Sequence, residues 1–345
     1  MKKYFLFAAI ALINLTAKAQ SSNQEPYLTK SLANQTVSKV KVETSGGSIS
    51  VSGVATSEAK VEMYVNGNNG NSQLSKEEIQ KRLDEYYEVN INYSNNMLTA
   101  TAKNKYNNMD WKKGLSISFK VYVPKNVSTD LATSGGSIKL TNLSGTQKFA
   151  TSGGSLSVDG VSGNVDGATS GGSIKVTNSQ DEIELATSGG SIEADNCKGN
   201  LRLATSGGSL KLTNLSGKIK AETSGGSVNG NNVSGTLSAH TSGGSINLSD
   251  LACSLETSTS GGHISVGIKQ LGEYVKISNS GGNIDVRLPK DKGLDLSLRG
   301  DKIKVTPMNN FSGSTDDDRI DGKLNGGGVP VDVRAGSGRV SIVLE

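Results

Sequence analysis

The tripeptide Ser-Gly-Gly recurs with its serine at Ser134, Ser152, Ser170, Ser188, Ser206, Ser224, Ser242 and Ser260, at a constant interval of 18 residues. A period held this strictly implies one short structural unit stacked on copies of itself, each covering the apolar face of the last. A ninth copy at Ser280 follows after 20 residues, and an outlying copy lies far upstream at Ser45. Most of the chain is therefore expected to be a solenoid, with function carried by its faces and ends.

Aligned coils show two strands each. Before the glycine pair, Val165, Ile183, Leu201, Ile219, Leu237 and Leu255 share one column, and Phe149, Leu185, Leu203, Ala221 and Ala239 share another two residues on. After the pair come Ile138, Leu156, Ile174, Ile192, Leu210, Val228, Ile246 and Ile264, then Leu140, Val158, Val176, Leu212, Leu248 and Val266. Alternation on both sides of a glycine step means two short strands per coil with their apolar sides inward. The expected fold class is all-β: a parallel β-helix, or single-stacked β-solenoid, of 18-residue coils with one short helix in an N-terminal cap. The Gly-Gly step reads as a turn requiring positive φ at Gly153 or Gly154. A second turn falls at Ser144-Gly145 and its equivalents. The column Asn142, Asn178, Asn196, Asn214, Asn232 offers side-chain hydrogen bonds along the stack, and parity turns the Thr151 column inward.

One coil cannot stand alone. Its five or six inward residues contribute about 1.5–3 kcal/mol each when buried, against about 1–2 kcal/mol of backbone entropy for every residue ordered. The ends of the stack need caps, because bare strand edges recruit other chains. Between Ser45 and Ser134 the period is interrupted. A helix is expected over Ser75–Tyr87, with Ser75 and Glu78 as a capping box and Ile79, Leu83 and Tyr86 on one face. Strands are expected at Glu88–Tyr93, Met97–Lys103 and Leu115–Val123. Near the other end, Leu294, Leu296, Leu298, Ile303 and Val305 alternate. A polar loop at Asp316–Arg319 precedes a final strand pair, Val331–Val333 and Val340–Leu344. The chain thus divides into a signal peptide over 1–19, a flexible linker over 20–37, a first coil with an inserted strand and helix cap over 38–131, the regular solenoid over 132–288, and irregular coils with a cap over 289–345.

The signal peptide rests on Lys2 and Lys3, the apolar run Tyr4–Leu15 and the small-x-small site Ala17-Lys18-Ala19. Its removal lowers the formal charge from +4 to +1, since Lys2, Lys3 and Lys18 leave and no acid does. The near-neutral remainder gives no support to nucleic-acid binding, and no span is left to anchor the chain in a membrane. Export places the protein in the periplasm, at the cell surface or outside the cell. The two cysteines would suit a disulfide there, but their register forbids it. Cys197 stands in the inward column of Leu143, Val161 and Leu215, whereas Cys253 replaces a turn glycine. Three coils separate them by about 14 Å, beyond the limit of about 7 Å for a bridge, so two free thiols are expected.

The strand-rich entry ending in Val121-Tyr122-Val123-Pro124, the tandem Thr-Ser-Gly-Gly-Ser-Ile coils, and the closing Leu324-Asn325-Gly326-Gly327-Gly328 and Gly336-Ser337-Gly338 segments resemble the bacterial putative-adhesin family, whose main domain has no known function. The likeness covers nearly the whole mature chain. It implies a surface adhesin or interaction protein and supplies no catalytic residues.

Enzymatic and metal chemistry find little to work with. Calcium-dependent β-rolls place an aspartate beside each turn; here Ser and an aliphatic residue follow the glycines, and Asp159, Asp166, Asp195 and Asp250 form no column. A polysaccharide lyase or hydrolase needs paired carboxylates in a cleft, and the coils from Ser134 to Ser260 carry no outgrowths. His240 and His263 lie in different columns, unsuited to sharing zinc. No enzyme activity, cofactor or metal is expected. The candidate ligand contacts are Tyr106 and Trp111, in the loop-like Tyr106-Asn107-Asn108-Met109-Asp110-Trp111, where aromatic rings beside amides suit sugar faces. Against that, Trp111 and the tyrosines would serve to pack the cap onto the first coil. The expected partner is an envelope or surface component, glycan or protein, met by a monomer. The alternative is an envelope sensing or scaffolding protein that binds a protein partner.

Overall fold

The computed structural model describes residues 25–68, 74–106 and 110–345. The signal-peptide expectation over 1–19 lies outside them. The chain is mostly β, with one long sheet of many strands and a single α-helix among the described residues, a solenoid-like arrangement. Each repeat contributes an eight-residue strand (Ser144–Thr151, Ser162–Thr169, Gln180–Thr187, Lys198–Thr205) and a four-residue strand (Ile138–Thr141, Leu156–Asp159, Ile174–Thr177, Ile192–Asp195). Long strands stack on long strands and short on short, parallel, every residue facing the one 18 positions on: Ser144 with Ser162, Leu156 with Ile174, Lys198 with Ser216. From Leu210 the two merge into continuous strands, Leu210–Thr223, Val228–Thr241, Ile246–Thr259 and Ile264–Asn279. The inward columns are buried throughout and form one core. The longer interval to Ser280 is absorbed by register shifts between Ile246–Thr259 and Ile264–Asn279, where Leu255 pairs with Val275.

The turn chemistry differs from expectation. Neither Gly153 nor Gly154 has positive φ. The left-handed backbone sits instead at Asn142, Asn178, Asn196, Asn214 and Asn232 (φ 52–55°), with Gly160 and Asp250 in the same column, and at Gly145, Gly163, Gly199, Gly217 and Gly235 (φ 99–119°). Asn, Gly and Asp are the residues that adopt this region most readily. The second glycine of each pair is required for a different reason. A Cβ on Gly154 would lie 2.0 Å from the carbonyl oxygen of Gly136 in the coil below, whereas one on Gly153 would meet nothing closer than 3.7 Å.

Polar ladders tie the corners together. Thr151 is buried, as its parity implies. Its Oγ1 donates to the Gly136 carbonyl at 2.8 Å and accepts from Gly154 N at 3.3 Å. The arrangement repeats at Thr169, Thr187, Thr205, Thr223, Thr241 and Thr259. At Asn279 an amide takes over, donating to Gly262 O. The next serine column links coils as well: Ser137 Oγ accepts from Ser155 N, and Ser191 Oγ from Ser209 N. Asn196 donates to Asn178 at 2.7 Å and Asn232 to Asn214 at 2.8 Å, while Asn178 and Asn214 donate to Asp159 and Asp195, so the asparagine column bonds along the stack in pairs joined through aspartates.

At both ends the parallel stack gives way to antiparallel pairing. Lys39–Thr44 lies between Ser128–Thr133 and Met97–Asn104, and Met97–Asn104 is covered in turn by antiparallel Tyr87–Ser94. On the short-strand side, Ile49–Val54 is followed by Leu115–Pro124, then by antiparallel Lys60–Gly67 and Leu28–Ser31. The helix spans Lys76–Tyr86, its first turn capped by Ser75 Oγ accepting from Glu78 N. Glu78 does not complete the capping box; it pairs with Arg82 at 2.6 Å. At the C-terminal end, Val329–Ala335 wedges between Ile264–Asn279 and the earlier strand Leu294–Arg299, and Arg339–Leu344 between Ile284–Leu288 and the earlier strand Lys302–Thr306. Arg319–Leu324 and Phe311–Thr315 close that end as an antiparallel pair, with Asp316–Asp318 in its turn. The linker expected over 20–37 is corrected for its described part. Leu28–Ser31 pairs with Lys60–Gly67, and Leu32 and Val37 are buried, because the end of the core needs apolar cover.

Candidate interaction surfaces

Because the core consumes the inward columns, chemistry available to a partner is confined to the outward columns and the caps. Tyr106 and Trp111 both lie near the N-terminal end, between Met97–Asn104 and Leu115–Pro124. They are 58% and 62% exposed, so the cap-packing role expected of them is overturned. Tyr87 does that work: it is buried, and its hydroxyl donates to Leu115 O and accepts from Leu115 N at 2.6 Å. Trp111 begins a 3-10 turn, Trp111–Lys113, capped by Asp110 accepting from Lys112 N. The segment is anchored on the helix. Lys105 N donates to Tyr86 O, and Arg82 Nη1 donates to the carbonyl of Lys112 at 3.4 Å. Asn107 to Met109 lie outside the described residues. The two rings, five positions apart in sequence, are thus presented from a base braced on the helix.

A second cap cluster escaped sequence reasoning. Lys60 lies 5.1 Å from the Tyr122 ring centroid and Lys120 lies 4.5 Å from that of Tyr64. Glu62 bonds Lys60 at 2.7 Å and the Tyr64 hydroxyl at 2.8 Å. Burial and the Glu62 bond push the Tyr64 phenol up to about 12. The only sequence signal was the alternation of aromatic and charged residues, which does not reveal that Lys60–Gly67 runs antiparallel to Leu115–Pro124.

Along the stack, a shallow trough of about 650 Å³ follows Ala132, Ala150, Ala168, Ala186 and Ala204 and the serines beside them. Glu43 stands next to Ala132 at one end and Glu222 next to Ala204 at the other, each paired with lysine. Its floor of methyl groups and hydroxyls offers shape and no reactive group. His240 sits between Ser238 and Ser258, at 2.9 and 2.7 Å. His263 lies 3.3 Å from Asp285. Among the described residues no group of three or more His, Cys, Asp or Glu is placed to hold a metal ion. No described helix is long and apolar enough to cross a membrane. Cys197 and Cys253 are buried and unbridged, as their register requires, and burial pushes the Cys253 thiol up to about 11.

No curated protein matches the chain. One solved structure aligned with it is a "putative cell adhesion protein" from Clostridium sporogenes ATCC 15579. The alignment has 14% identity and covers 92% of this chain and 98% of that one, at a TM-score of 0.18, too low for a shared global backbone. Residues 234–343, which run from the last regular coils through the C-terminal cap, match the family model of Toastrack DUF4097, a domain of unknown function.

Proposed function

We propose that the protein is an exported, non-enzymatic surface or envelope interaction protein of adhesin type. In this reading it is a parallel β-helix of 18-residue coils that holds an aromatic contact site at one end of a rigid rod. Sixteen strands follow one another on the long-strand side, from Tyr87–Ser94 to Phe311–Thr315, a length of about 70 Å at the usual strand spacing. The observation that carries the proposal is the exposure of Tyr106 and Trp111 on a braced segment near the N-terminal end. Large rings left in water without a packing role mark contact sites, and their faces suit sugar rings. The stack beneath supplies reach and stiffness.

The test is attachment of the mature protein to bacterial envelopes and to a glycan array, with and without chelator, beside a Tyr106→Ala/Trp111→Ala variant. Loss of attachment in the variant with an unchanged melting curve supports the proposal, and undiminished attachment removes the cap from consideration. Loss on chelation would favour calcium. Turnover of a polysaccharide, abolished by one Asp or Glu substitution, would overturn the non-enzymatic reading. A second reading, a scaffold that binds a protein partner, has one observation in its favour. Phe311–Thr315 is exposed apart from half-buried Phe311 and, among the described residues, pairs on one side only, which leaves a strand edge open at the C-terminal end.

A further inference from the structure

The long-strand side carries opposite charges on adjoining strands. Ser162–Thr169 and Gln180–Thr187 present Asp166, Asp181, Glu182 and Glu184 outward. The next two, Lys198–Thr205 and Leu210–Thr223, present Lys198, Arg202, Lys218 and Lys220. Four acids therefore abut four bases across the boundary between Gln180–Thr187 and Lys198–Thr205. At that boundary the surface dips into a depression of about 420 Å³, lined among others by Asn164, Glu182, Glu184, Arg202 and Lys218. Part of this charge is spent inside the chain: Lys220 pairs with Glu222 on its own strand at 2.9 Å, and Glu182 accepts from Asn200 Nδ2 at 2.6 Å. Arg202 and Glu184 lie 3.5 Å apart but remain 58% and 65% exposed, a pairing worth little in water. Asp166, Lys198 and Lys218 have no ion-pair partner among the described residues. The unbroken 18-residue register keeps this side free of outgrowths.

We infer that this face docks a second copy of the chain, with the two stacks running in opposite directions. A two-fold axis along the strands, between Gln180–Thr187 and Lys198–Thr205, lays face on face and exchanges the belts. Glu184 then meets the second copy's Arg202 and Asp166 meets its Lys220, and each contact occurs twice, as an isologous interface requires. A purely acidic or purely basic partner would meet as many repelling charges as attracting ones; across the four central strands a second copy meets complementary belts. Six strands of about 26 Å cover about 600 Å² on each copy, or about 1,200 Å² in all, at the lower bound for a specific interface. Further out, Asp130 would oppose Glu256, which confines the contact to the central strands. The association is weak and salt-sensitive, it replaces the monomer expected from sequence, and it does not depend on what the cap binds.

The experiment is sedimentation of the mature protein up to about 200 µM, a range that captures weak interfaces of this size. It is run at about 50 mM and about 0.5 M NaCl, which shortens the screening length severalfold. Two variants accompany it: Arg202→Glu/Lys220→Glu, with two acidic belts, and Asp166→Lys/Glu184→Lys, with two basic ones. Wild type should dimerise at low salt and weaken by at least about tenfold at high salt. Each variant alone should stay monomeric, and their equimolar mixture should associate at least as well as wild type. Wild type that remains monomeric at low salt overturns the inference, as does a mixture of folded variants that fails to associate. If either variant misfolds, Glu184→Gln/Arg202→Gln keeps the shape without the charge; unchanged dimerisation in that protein would also overturn it.

Discussion

Replacing Gly153 and Gly154 one at a time by alanine separates two explanations for the same dipeptide. If the pair served a positive-φ turn, either change would strain the backbone. Neither φ is positive, however, and the two positions differ in their surroundings. A Cβ at 154 would lie 2.0 Å from Gly136 O, 2.3 Å from its carbonyl carbon and 2.6 Å from Ser137 N. The carbonyl would have to retreat by more than 1 Å to reach a tolerable contact, and it is also the acceptor for Thr151 Oγ1. Overpacking of this kind costs about 1–3 kcal/mol, and the strained hydrogen bond adds about 0.5–1.5 kcal/mol, so Gly154→Ala should lose about 2–4 kcal/mol. Gly153→Ala meets only ordinary contacts and loses unfolded-state freedom; it should be neutral or gain up to about 1 kcal/mol. Urea titration of the three proteins, with slopes compared to verify a common unfolding reaction, reads the difference. Equal midpoints for the two variants, or equal destabilisation of both, would refute the close-approach argument.

Other consequences are as direct. Thr205→Val keeps the shape but strands Gly190 O and Gly208 N; it should destabilise by about 1–3 kcal/mol in urea melts, while Thr205→Ser loses less. Cys197 and Cys253 should resist a thiol reagent in the folded protein and yield two thiols per chain once unfolded without reductant; none on a monomeric gel band would contradict the register. Arg319 first, then Arg299, hold the Asp321 carboxyl down at about 2 from an ordinary 3.8. Its contribution is therefore complete above about pH 4 and fades as pH falls through about 2; a carboxyl resonance of Asp321 titrating near 4 would disprove the pairing.

The solenoid-like fold, the inward columns, the buried threonines and the asparagine column were legible because each follows from period and parity alone. The helix was legible because Ser75 and the Ile79–Leu83 spacing are local signals. The turn assignment failed although a signal existed. The column running Asn142, Gly160, Asn178, Asn196, Asn214, Asn232 and Asp250 holds only residues that tolerate left-handed backbone, whereas Gly-Gly drew attention to itself.

By itself, the linear chain determined which side chains face the core, because alternation within a strand depends only on immediate neighbours. Tertiary structure decided what depends on backbone many residues away: that Gly154 must lack a side chain because Gly136 lies beneath it, and that Leu28–Ser31 is a strand because Lys60–Gly67 offers it an edge. The order of the end strands belongs there too. Val329–Ala335 sits inside Leu294–Arg299 although it comes later in the chain. Trp111 is exposed for the same reason: Tyr87 and the strands of the cap had already covered the end of the core.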